Sequence, residues 1–333
     1  MEIESDLEEN IPSDILEEAN QASLDLLPAK SRDRYEKEYT AFKNWMMGRK
    51  VKKIAEEVIL AYFAHHSKTL KPSTMWSKYS MLRTTLLIND NVDIKYAKVI
   101  ALLIRQGNGY KPKKAKIFCR NDLNRLLSEA PDDYYLQMKV ALIIGLAGAC
   151  RCDELIKLTL HDIQDNGDIL VVKIPDSKTK MQITFVITNE TINGTSVHGI
   201  YRKYVSLRSA KTEHTRFFVN YIKGKCTIQV IGKNTIAKIP YKIAKYLELP
   251  DAEGYTGHSF RRTSALVDAG GDLLSLKRHG GWRSTNVAEG YLGESIVKKS
   301  KVSNQITCGM LSSKVSGEHQ MNSTNIDKYR FQR

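Results

Sequence analysis

The chain is 333 residues long with 42% hydrophobic residues, enough for two domains that each bury a core. No apolar run reaches the roughly 18 residues of a membrane span, and the acidic N-terminus is unlike a secretory leader, so a soluble intracellular protein with no membrane partner is expected. The net charge of +14 understates the basic body: residues 1–30 hold nine carboxylates and one lysine, and the other 303 carry 50 Lys and Arg against 28 Asp and Glu, a surplus suited to a polyanion such as DNA.

Residues 1–30 read as an acidic arm, disordered or at most marginally helical, in which Ile11, Ile15, Leu16, Leu24 and Leu27 could form a small docking face. From Ser31 a helical pattern begins, with Tyr35, Tyr39, Phe42 and Met46 at i, i+4, i+7 and i+11. A second helix is expected over Ile54–His66, with Val58, Ala61 and Tyr62 inward. The third opens at the cap signal Pro72-Ser73-Thr74 and sets Met75, Tyr79, Leu82 and Leu86 on one stripe; Tyr96–Arg105 is the fourth. Packing alone satisfies this aromatic spacing, so the rings are assigned to a core rather than to base stacking.

Residues 108–116 combine helix breakers with a basic run and read as an interdomain linker. Its lysines, Lys111, Lys113, Lys114 and Lys116, would lie along a duplex backbone, and the run KPKKAK also resembles a nuclear localisation signal, which makes the nucleus the expected compartment. Beyond Phe118 come a helix with Leu123, Leu126 and Leu127 inward and a buried apolar helix over Met138–Ala149. Two β-branched strands, Ile169–Ile174 and Ile183–Ile187, flank Pro175–Lys180. Phe217-Phe218-Val219 is a short strand, and residues 301–333 are a polar tail with one apolar patch at Ile306–Leu311. The five cysteines (Cys119, Cys150, Cys152, Cys226 and Cys308) show no zinc spacing, so reduced thiols and no metal site are expected.

The most telling segment is Thr256–Tyr291. His258 and Arg261 are three apart, on one face if helical; Gly280-Gly281-Trp282 follows, and Tyr291 lies nine residues after Trp282. Cationic donors next to a phenol suit phosphoryl transfer to tyrosine. The segment resembles the C-terminal signature of the tyrosine recombinases: His-x-x-Arg, then Gly-His or Gly-Trp, then the tyrosine. The family's first arginine lies in a Gly-x-x-Arg-x-x-Glu-Leu-x-x-Leu context, which Gly148 to Leu158 fits with Arg151 and Glu154, and the family lysine falls in the hairpin as Lys178, with Lys180 its rival. The resemblance spans about Phe118 to Tyr291.

A phosphodiester resists attack because its oxygens repel a nucleophile, so catalysis needs charge stabilisation and a proton for the leaving oxygen. Arg151 and Arg261 can each offer two hydrogen bonds to non-bridging oxygens. The resemblance implies that Tyr291 is the nucleophile and forms a 3′-phosphotyrosyl bond. His258 would be general base or phosphate donor, Lys178 the general acid, and Trp282, whose indole only donates, a phosphate ligand at the family's second-histidine position. His279 lies too early for that role, and Glu154 would orient the basic groups. No metal or nucleotide cofactor is required.

The expected architecture is mainly α with a small β-sheet: an all-α core-binding domain at 31–107, the linker, and a mixed α+β catalytic domain at 117–300, closing as a C-shaped clamp. Lys78 and Arg83 on the third helix are further candidates for DNA contact. The resemblance implies a double-stranded DNA substrate and a homotetramer on two sites, and the Gly-Gly-Trp motif is similar to recombinases of eukaryotic mobile elements such as the Crypton group. A type IB topoisomerase and a host-recruited DNA-binding protein that no longer recombines are the alternatives.

Overall fold

A computed structural model describes residues 12–174 and 182–267. The chain divides into two compact units, Met1–Lys113 and Lys114–Arg333, a division that falls inside the basic segment 108–116.

The first unit is helical: α1 (Ser13–Asp25), α2 (Arg32–Gly48), α3 (Glu56–His66), α4 (Pro72–Asp90) and α5 (Ala97–Gly107). Its core is built from the apolar stripes: Phe42 and Met46 of α2, Ile59, Tyr62 and Phe63 of α3, Met75, Tyr79, Leu82 and Leu86 of α4, and Val99 and Leu103 of α5. The rings pack edge to face, Phe42 on Tyr62 at 5.1 Å and Tyr62 on Phe63 at 5.5 Å between centroids, an arrangement their quadrupoles favour. Proline in the first turn starts α4, where its missing N–H is no loss, and Asn91 in the left-handed region (φ 52°) ends it.

One expectation is corrected here: Ala61 is exposed, and Ile59 and Phe63 complete the inward face of α3 around Tyr62. Within the arm read as disordered or marginally helical, α1 spans Ser13–Asp25, with Ile15 and Leu16 exposed and Leu27 buried just beyond it.

The second unit opens with α6 (Arg120–Glu129) and α7 (Asp132–Ala147), followed by the short α8 (Cys152–Lys157). An antiparallel sheet of order β1-β2-β3 follows, from β1 (Ile163–Asp165), β2 (Ile169–Ile174) and β3 (Ile183–Thr188). In β3, Ile183, Phe185 and Ile187 point inward and alternate with exposed residues, the two-residue period of a sheet with one wet face. The expected hairpin is β2–β3, paired with Val172 opposite Phe185. Its tip, with Lys178 and Lys180, lies outside the described residues.

Then come the small pair β4 (Thr191–Ile192) and β5 (Thr195–Ser196), α9 (Val197–Ser206), the hairpin β6 (Val219–Ile222) and β7 (Lys225–Val230), α10 (Lys233–Ala237), α11 (Ile239–Tyr246) and α12 (Ser259–Val267). The strand expected at Phe217–Val219 starts only at Val219, where the pairing with β7 begins; the Phe217 N–H donates instead to the Leu158 carbonyl at 2.7 Å.

Helix α7 is the axis of this unit. Leu136, Val140, Ala141, Leu142 and Ile144 are buried around its circumference, as expected of a helix packed on all sides; α9, α12, β3 and β6 lie against it. It begins at Asp132, six residues before the expected start, because its polar first turns are also held in place. Lys139 and Lys203 both pair with Asp132, at 2.8 and 2.7 Å, and the Gln137 amide donates to the Val219 carbonyl.

Candidate active site

The C-terminal end of α7 gathers the basic groups. After Gly148, Ala149 adopts the left-handed region (φ 45°), reversing the chain so that Cys150 points back under the helix and its N–H donates to the Gly145 carbonyl at 2.9 Å. Arg151 is then the N-cap of α8, and Glu154 folds back on it: one carboxylate oxygen accepts the Arg151 main-chain N–H at 2.7 Å, the other accepts from its Nη1 at 2.6 Å. Glu154 is buried, whereas the Arg151 side chain remains 22% exposed. The Gly-x-x-Arg-x-x-Glu pattern is thus a local device, a reversal that presents a guanidinium and an acid one turn later that fixes it.

Arg261 reaches the same place from the far end of the unit. It is buried in α12, and its Nη1 donates at 2.7 Å to the carbonyl of Ala149, 112 residues earlier in the chain. The thiol of Cys150 reports the convergence: burial and then the Glu154 carboxylate push it far above the ordinary cysteine range, while Arg261 and Arg151 pull it down. One sulfur therefore sits within Coulombic reach of all three charged groups.

Helix α12 can approach this closely because residue 145 is glycine, where a Cβ would come within 2.7 Å of the Phe260 ring. The Thr263 hydroxyl accepts the Phe118 N–H at 3.1 Å, and the Arg262 guanidinium donates to the Ala115 carbonyl, so the start of this unit is tied to α12 as well.

His258 does not share a helical face with Arg261. It is the residue before α12, its carbonyl accepting the Arg262 N–H at 3.0 Å as a helix cap does, and it is exposed while Arg261 is buried. The first i→i+4 bond of α12 is the one from Arg262 to the His258 carbonyl, which leaves the imidazole outside the first turn, with no side-chain hydrogen bond to a described residue; the Ser259 hydroxyl accepts the Thr256 N–H at 2.9 Å and closes the turn ahead of the helix. An exposed imidazole three residues before a buried arginine is available to donate to, or accept from, a bound phosphate.

Residues 116–295 match the family model described as "Phage integrase family", more than half of the chain. The chain belongs to the phage integrase family. Structures of other integrases and recombinases have the same fold. The Tn1549 transposon integrase in complex with transposon right end DNA superposes with a TM-score of 0.60 at 14% identity, covering 84% of this chain and 95% of that one. The XerH site-specific recombinase bound to palindromic difH substrate gives 0.57 at 14% identity, covering 75% and 72%. A lambda integrase fragment dimer bound to a COC′ core site gives 0.54 at 15% identity, covering 80% and 89%. No curated protein matches the sequence.

In this phage integrase family member the structure brings Arg151, Glu154, Arg261 and the His258 turn together, while Lys178, Trp282 and Tyr291 lie outside the described residues. Of the candidates for DNA contact, Lys78 pairs with the buried Glu38, which also accepts from the Tyr62 hydroxyl at 3.0 Å. Arg83 grips Asp93 through two bonds of 2.7 and 2.9 Å. Lys116 donates to the Pro250 carbonyl and Asp251, both at 2.8 Å. Each of these three cations already faces protein oxygens. Lys111, Lys113 and Lys114 lie in the segment ahead of α6 that forms neither helix nor strand. The sequence reading missed Cys150 and Cys152 as parts of the site, because both were read as reduced thiols without a metal role.

Proposed function

We propose that this DNA-cleaving and rejoining enzyme is a site-specific tyrosine recombinase whose nucleophile is Tyr291. The observation that carries the reading is the convergence of Arg151 and Arg261 on the Ala149–Cys150 reversal, with His258 exposed in the turn that leads into the helix carrying Arg261. Two guanidiniums at one point suit a phosphodiester: they offset the charge that builds on the non-bridging oxygens during attack. The Tyr291 oxygen would attack phosphorus, forming the 3′-phosphotyrosyl bond as the bond to the 5′-oxygen breaks. The phenol proton passes toward His258, and Lys178 protonates the departing oxygen. Trp282 donates its indole N–H to the phosphate. Because the phosphotyrosine conserves the energy of the broken bond, a 5′-hydroxyl from another strand can reverse the step and complete an exchange.

Duplex DNA is the substrate, in keeping with the basic body and with the DNA-bound state of the three similar structures. A tetramer on two sites, residence in a mobile element and entry into the nucleus through the 111–116 run belong to the same proposal. The test is a nicked suicide duplex carrying the target site. Wild-type protein should accumulate a covalent adduct that maps to Tyr291, and Tyr291→Phe should bind the duplex with unchanged affinity and form none. An adduct mapped to another tyrosine would overturn the assignment.

A further inference from the structure

We propose that Cys152 is a positioning residue that clasps the Gly257–His258 turn against the helix carrying Arg151. This rests on the recombinase reading above and extends it to a pair of residues that touch no substrate. The Cys152 thiol donates to the Gly257 carbonyl at 3.3 Å, across 105 residues of chain. The space beside Gly257 is filled by the same sulfur, since a Cβ built on Gly257 would lie 2.3 Å from Cys152 Sγ, with Ala237 next at 3.6 Å. Helix α10, which carries Ala237, packs on α8, and Lys233 at its start pairs with Asp153 at 2.7 Å. Three segments therefore meet at one sulfur: the helix after Arg151, the end of α10 and the turn before His258.

The chemistry suits a fixed clasp. Burial is the main cause that raises the Cys152 thiol above its ordinary range, so at neutral pH the group stays protonated and remains a donor. Cysteine has a single side-chain torsion and few rotamers to lose. The Gly257 backbone avoids the left-handed region, so alanine there meets a steric obstacle and no conformational one. The Arg151–Glu154 grip fixes one cation from within α8; the clasp fixes the imidazole relative to that cation.

The geometry predicts a size exchange. Gly257→Ala forces Sγ off its carbonyl or moves the turn. An ångström of misplacement costs up to ~10²-fold in rate, so adduct formation on the suicide duplex should fall at least about 10-fold with DNA affinity unchanged. Cys152→Ser, which keeps a donor of similar shape, should stay near wild type, and Cys152→Ala should lose part of the rate. In Cys152→Ala/Gly257→Ala the new Cβ occupies the space the sulfur left, its next neighbour being Ala237 at an ordinary 3.6 Å; the double variant should cleave faster than Gly257→Ala alone.

Amide hydrogen exchange at Gly257 and His258 should follow the same order in all variants without DNA. A double variant no faster than Gly257→Ala, with exchange no slower, would overturn the clasp. If the wild-type protein forms no adduct at all, the recombinase reading fails, and the exchange order alone decides the clasp.

Discussion

Glu154→Gln isolates the grip on Arg151. The carboxylate accepts two hydrogen bonds from that one residue, at 2.7 Å from the main chain and 2.6 Å from the guanidinium. Glutamine keeps a carbonyl oxygen for the main-chain N–H but sets its own N–H groups against Nη1, so one charge-assisted bond is lost and two donors face each other. A hydrogen bond to a charged group contributes about 1.5–3 kcal/mol. Because the Arg151 side chain is 22% exposed, solvent screening lowers the expected loss to about 1–2 kcal/mol. If that loss falls on the placement of Arg151 at the phosphate, the rate of adduct formation drops roughly 5- to 30-fold, while affinity for uncleaved duplex stays near wild type. Single-turnover cleavage of the suicide duplex under saturating protein, paired with fluorescence anisotropy on an intact duplex, separates the two quantities. Cleavage at the wild-type rate, or a deficit matched by an equal loss of affinity, would refute the reasoning.

Lys78→Ala strands the Glu38 carboxylate, which is 5% exposed, with the Tyr62 hydroxyl as its remaining hydrogen-bond donor among the described residues. The first unit should lose about 1–3 kcal/mol in a urea titration, and the salt dependence of DNA binding should be unchanged; a shallower salt slope without destabilisation would make Lys78 a phosphate contact instead. Gly145→Ala drives a Cβ into the Phe260 ring at 2.7 Å and should destabilise the second unit by about 1–3 kcal/mol, as overpacking does, lowering cleavage with it; an unchanged melting temperature would show that α12 shifts freely. Asp165 is held at about 2, below the usual 3.8, first by Arg202 and then by the Gly167 N–H. The folded-state value is depressed, so the pair stabilises above about pH 4 and its contribution disappears as pH falls toward 2. Melting temperature measured across that window should fall less steeply in Asp165→Asn than in wild type.

Features carried by short-range pattern were readable from the sequence. The alternation in Ile183–Thr188, the stripe Met75, Tyr79, Leu82 and Leu86, and the Arg151-x-x-Glu154 pair each depend on residues a few positions apart, where backbone geometry dictates which side chains meet. What escaped depends on contacts that a period cannot encode. Ala61 fits an inward position by spacing, yet the bulk of Ile59, Tyr62 and Phe63 turns α3 away from it. The polar start of α7 looks like loop until Lys139 and Lys203 supply partners for Asp132. The spacing of His258 and Arg261 suits a shared helix face, but the chain enters α12 through a turn closed by Thr256 and Ser259, and the helix starts past His258. The approach of Cys152 to Gly257 has no local signal at all, since glycine and cysteine are each compatible with many environments.

The burial of Cys150 makes the floor of the site its own gauge. Its sulfur is shut away beneath α7 and held in the protonated, unreactive form by burial and by the Glu154 carboxylate. A thiol reagent can therefore reach it only when the packing around the Ala149 reversal opens, and the carbonyl of that reversal is what holds Arg261. The slow labelling of this one cysteine, followed by mass spectrometry with the exposed Cys119 as an internal fast control, measures how often that packing opens. The same measurement on a DNA-bound sample reads how firmly bound DNA closes it.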